Sequence, residues 1–175
     1  MATNASRSNQ VRRAATIAAA LLTALSLAVP ASAGGTYDAN RQVVRGGWVS
    51  PTCVFTDYNP VTGAFRCTSS TTWTGTWTGA TVVEGEGTFD VMTGSGSGTI
   101  EETFVGRAAD GTTGTLQFTE AWVADGPSLT IHIDGRIVAG TGDWIGATGR
   151  VSFDGTMASG SGFGGYVGSW TRPKH

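Results

Sequence analysis

The chain has 175 residues, 27 of them glycine, with 11 basic and 13 acidic residues and a formal net charge of −2. Lys174 is the sole lysine, and an acidic chain without clustered Lys and Arg lacks what a nucleic-acid or anionic-membrane partner requires. The 39% of apolar residues supports a core for one domain.

Residues 1–33 read as a secretory signal peptide. Arg7, Arg12 and Arg13 form a basic start, Ala14–Val29 is an apolar run, and Ala31-Ser32-Ala33 is a small-residue cleavage signal. The run is too short and too rich in alanine to favour a permanent span, so the mature form is expected to carry no membrane span and to be secreted. Arg12-Arg13 is all that suggests a twin-arginine route, and ordinary secretion is expected. Residues 34–175 read as one domain without a linker.

From Gly34 onward no helical period appears. Short alternating segments separated by Gly, Asp and Asn predict strands near Gln42–Val49, Ala64–Trp77, Ala80–Met92, Thr99–Arg107, Thr113–Val123, Ser128–Val138, Ala147–Met157 and Phe163–Thr171. Turn signals fall at Asn59–Gly63, Thr93–Gly98, Ala109–Gly111, Ala124–Pro127 and Gly140–Gly146. Consecutive strands on short turns predict an all-β fold, an eight-stranded antiparallel up-and-down barrel, with a sandwich as the alternative. Interior glycines such as Gly85, Gly87, Gly135 and Gly155 favour the barrel, whose bent strands use glycine.

Cys53 and Cys67 are the two cysteines. An exported chain is oxidised, and the intervening turn sets the two face to face across a hairpin, so a disulfide is expected. With only His132 and His175 as histidines, no metal site is expected.

The segment Thr115–Trp122 is the most informative. Alternation puts Glu120 on the face of Leu116, Phe118 and Trp122, and in the preceding strand Glu102 on the face of Ile100 and Phe104, with Glu101 opposite. Two acids facing one apolar interior form a candidate acid/base or ligand-orienting pair, because burial raises a carboxyl pKa. The competing reading makes them surface acids, since a one-residue slip in register swaps the faces. Glu84, Glu86 and Asp90 share a solvated outer face, and His132 is expected outside with Asp134 and Arg136. Ser152 has no evident partner for nucleophilic chemistry. Gly94–Gly98 precedes a strand, which is the wrong context for a phosphate loop. Six tryptophans are available to fill a core or to line a cavity.

Gly140–Phe153, running Gly-Thr-Gly-Asp-Trp-Ile-Gly-Ala-Thr-Gly-Arg-Val-Ser-Phe, resembles a signature of allene oxide cyclase and dirigent-like barrels and of their secreted bacterial relatives. Gly98–Phe104 and Leu116–Glu120 are similar to the acid-bearing strands of those relatives. The resemblance implies an eight-stranded barrel binding a small, largely apolar molecule without metal or organic cofactor. It places Glu120 and either Glu102 or Glu101 in the lumen and makes Asp143 a turn acid. Thr74-Gly75-Thr76-Trp77 resembles the opening of avidin-like barrels, and the rest of the chain does not.

The expected function is therefore an exported barrel holding a small hydrophobic molecule and isomerising or cyclising it, with Glu102 and Glu120 as proton donor and acceptor. Trp73, Trp77, Phe104, Phe118 and Trp122 would shape the cavity. The alternative is a non-catalytic extracellular carrier or an envelope protein with a filled core.

Overall fold

The computed structural model describes residues 41–172 except 52, 127, 159 and 160; the expected leader, residues 1–33, and His175 lie outside the described residues. Nine strands follow one another: β1 (Arg41–Ser50), β2 (Val54–Tyr58), β3 (Ala64–Gly75), β4 (Trp77–Asp90), β5 (Ser95–Ala108), β6 (Thr113–Asp125), β7 (Thr130–Gly140), β8 (Thr148–Ala158) and β9 (Ser161–Thr171), with one 3-10 turn at Gly142–Trp144. Each strand from β3 to β9 pairs antiparallel with the next, and β1 closes the ring by pairing with both β9 and β3. The result is the closed eight-stranded antiparallel barrel expected from the alternation, with β2 as an added strand.

Two expectations are corrected. The run 64–77 is not one strand: it breaks at Gly75, whose φ of 109° only glycine adopts readily. A Cβ there would stand 2.6 Å from the Arg45 carbonyl oxygen, so the tight turn into β4 needs glycine for space as well. Trp73 and Trp77 consequently sit on adjacent strands instead of on one. The second correction is β2, which pairs with β3 beyond the stretch of β3 that β1 occupies and is exposed along its whole length. The expected Cys53–Cys67 disulfide is present, with Cα atoms 5.7 Å apart. At the Asn59–Gly63 turn, Asn59 Oδ1 accepts the N–H groups of Val61 and Thr62.

Inward positions follow the two-residue period, and at one end they fill the lumen completely. Trp77, Trp144, Trp170, Phe104 and Leu116 are buried there, and Trp77 meets Trp170 edge-on at 5.2 Å while Phe104 stacks on Trp144 at 5.9 Å. The Tyr166 hydroxyl accepts the Trp77 N–H at 3.0 Å and lies 3.2 Å from the Trp77 carbonyl oxygen, tying β9 to β4 across the barrel. Each fully buried aromatic contributes roughly 1.5–3 kcal/mol through area, and favourable ring pairs about 0.5–1.5 kcal/mol more. Arg172 seals this end, lying over the Trp170 ring and donating to Asp110 and to Thr112 Oγ1. Asp143 belongs to the same end, where its carboxylate accepts the Thr113 N–H at 2.9 Å.

Candidate functional site

The opposite half of the lumen is hollow. A cavity of about 420 Å³ opens between the ends of the strands and the β2–β3 hairpin. Its walls are mostly apolar, drawn from residues such as Phe65, Val83, Ile100, Ile133 and Phe153, with Phe55, Leu129 and Met157 near the mouth. Cys53 and Cys67 also line it, so the disulfide pins the hairpin beside the opening.

Glu102 and Glu120 lie in this wall, only 5% and 3% exposed. Neighbouring strands set them diagonally, since Glu102 stands opposite Phe118 and Glu120 opposite Ile100 on one face of the β5–β6 pair. Glu101 faces solvent, so the interior acid of β5 is Glu102. The two carboxyl groups are close enough for each to bias the other's ionisation, so one proton held by the pair is favoured over two like charges. Burial pushes Glu102 up to about 7, against the opposing pull of Thr81, Glu120 and Trp73. Burial first, and then the charge of Glu102, holds Glu120 well above the ordinary carboxyl range. The Thr81 hydroxyl accepts the Thr71 N–H at 3.1 Å, leaving its own O–H to face the pair. The Trp73 indole N–H is close enough to favour ionised Glu102 but makes no hydrogen bond of normal geometry.

The position of Glu120 is set by what stands opposite it. Gly135 of β7 is its cross-strand partner, and a Cβ at that glycine would lie 2.8 Å from Glu120 Oε1. The missing side chain thus leaves the space the carboxyl group occupies. Oε1 has no hydrogen-bond partner there, an unusual condition for a buried oxygen.

Of the aromatic residues expected to shape a site, Trp73 and Trp122 line the cavity along with both acids. Phe104, Phe118 and Trp77 lie in the filled core instead, packed around Trp73, which forms the floor between the two halves. Trp48, Phe65, Phe89 and Phe153 line the cavity without having been singled out from the sequence; a period of two assigns a face but not a height along the barrel axis.

On the outer wall, His132 bridges Asp154 at 2.7 Å and Asp134 at 3.3 Å, and Ser152 Oγ donates to Asp134 at 2.6 Å. Ser152 thus has an acid beside it, unlike the expectation from sequence. The order runs Ser to Asp to His, which leaves no base on the hydroxyl and offers no activated nucleophile. Among the described residues no group of three His, Cys, Asp or Glu side chains is placed to hold a metal ion.

The chain matches no protein-family model, and no curated protein is similar to it at a significant level.

Proposed function

We propose that this protein is an exported barrel whose open half-lumen binds one small, largely apolar molecule, with Glu102 and Glu120 holding its polar group. The observation that carries the reading is a buried pair of carboxyl groups in the wall of a mostly apolar cavity that opens at one end. A carboxyl pair buried in an apolar wall costs stability, and a ligand group that pairs with it would offset that cost. The resemblance to allene oxide cyclase and dirigent-like barrels supports the same reading and extends it to chemistry. A pair holding one proton presents a donor and an acceptor side by side, so the ionised group takes a proton from one carbon of the substrate while the protonated group returns one elsewhere. Such an isomerisation or cyclisation consumes no cofactor. A leader at residues 1–33 and a disulfide, which belongs to oxidising compartments, support export. Among the described residues no helix is long and apolar enough to cross a membrane.

Pyrene, which is neutral and fits the cavity, tests the binding step through its environment-sensitive fluorescence. Saturable binding at one molecule per chain is expected. Gly85 lines the cavity, and a Cβ there meets nothing closer than Cys67 Sγ at 3.5 Å, so Gly85→Leu fills the space and should abolish binding. A folded Gly85→Leu variant that binds pyrene like the wild type places the ligand elsewhere and defeats the reading.

A further inference from the structure

The ionisable groups lining the cavity are Glu102 and Glu120 and no others; among the described residues no Arg or His reaches it. Once the pair has given up one proton it carries a negative charge with no protein counterion, and Glu120 Oε1 still lacks a donor. The neighbouring walls are aromatic, with Trp48, Trp73, Trp122 and Phe153 presenting rings to the space, and ring faces attract cations.

The outer surface carries the same sign. Of the arginines in the described residues, Arg41, Arg45, Arg107, Arg136, Arg150 and Arg172 lie toward the filled end. Arg66 alone lies toward the mouth, and it is paired with Glu86 at 3.2 Å. Exposed Asp57, Asp90, Asp125 and Asp154 stand on the mouth half, Asp154 paired with His132, whereas the filled end has Asp110 and Asp143. Asp110 is itself neutralised by Arg172. The barrel is therefore negative at its opening and positive at its base, a field that draws cations to the mouth and repels anions from it.

We infer that the ligand is a cationic amphiphile, an apolar body bearing one protonated amine whose N–H groups are received by Glu102 and Glu120 while the body lies against the aromatic wall. This rests on the proposed binding role and narrows it. One ammonium and one singly protonated pair leave the lumen electrically neutral, which satisfies the requirement that a buried charge be paired and hydrogen-bonded.

The test compares two probes of one shape, 1-naphthylmethylamine and 1-naphthylmethanol, by calorimetric titration of the full mature chain. At about pH 8 the amine is expected to bind at least about tenfold more tightly than the alcohol. Its advantage should shrink as the pH is lowered to about 5, where the pair takes up its second proton and loses its charge. The double variant Glu102→Gln/Glu120→Gln, uncharged at every pH, should lose the preference, and the comparison within the wild type holds whether or not that variant folds. An alcohol that binds as tightly as the amine, or an amine preference unmoved by pH, overturns the inference while leaving the cavity as an apolar site. Failure of both naphthyl probes and of pyrene removes the binding reading along with it.

Discussion

Glu120 combines three conditions seldom found in one side chain: it is buried, it is next to a second acid, and it has an oxygen without a partner. The consequence for stability has a definite sign. The folded-state pKa values of Glu102 and Glu120 lie above their unfolded values, so the pair's contribution is fully present below about 4.5 and is lost as the pH rises through about 7 and beyond. Asp110 and Asp134 are shifted down and act oppositely, weakening the fold only as the pH falls below the ordinary carboxyl range, and both are too exposed to matter much. His132, raised mainly by its hydrogen bond to Asp154, adds a small loss in the same direction as the pair, so the variant is needed to separate them. Chemical denaturation across pH 4.5–8.5 should show stability falling by a few kcal/mol in the wild type, with Glu120→Gln flatter and equally or more stable at the alkaline end. Parallel curves for the two proteins would mean that Glu120 is not held protonated in the lumen.

Among the elements, the β2–β3 hairpin depends most on a single covalent link. β2 has five residues, all exposed, and it touches the rest of the sheet through β3 alone, so little packing holds it. The Cys53–Cys67 bond closes a separation of 14 residues, and in the chain-entropy model a loop of that size is worth about 3 kcal/mol. Reduction, or paired replacement of both cysteines by serine, should lower the unfolding free energy by about that amount and raise hydrogen exchange in 54–67 before it does so in β5 or β6. Uniform exchange across the barrel would show that the bond supports the whole fold and not the hairpin. The absence of buried positions also explains why β2 was not legible in the sequence, since Val54–Tyr58 lacks the apolar alternation that reveals a strand packed on a core. β5 and β6 were legible for the opposite reason: Ile100, Glu102 and Phe104, like Leu116, Phe118, Glu120 and Trp122, alternate against polar neighbours, which put the correct acids inside. Depth was not legible. A period of two assigns a face but not a height along the barrel, so Trp73 at the cavity floor and Trp77 in the plug look alike in sequence.

At the largest scale the described barrel is a ring, and its closure rests on β1 pairing with β9 over ten residue pairs from Arg41 with Thr171 to Ser50 with Gly162. The partners are more than a hundred positions apart in the chain, whereas almost every other pairing joins consecutive strands. Removing residues 161–172 would expose the free edges of β1 and β8 and take Tyr166 and Trp170 from the core. Such a chain should lose cooperative thermal unfolding altogether, and a sharp transition retained by it would show that the curved sheet stands without closure. The seam also dictates the order of events during folding. Loop-closure entropy must be met before the last strand reaches the first, so a chain appearing from its N-terminus accumulates hairpins but cannot complete a native barrel until β9 has emerged. Folding is in this way deferred to the end of synthesis, and until then the growing polypeptide holds a sheet with two unpaired edges.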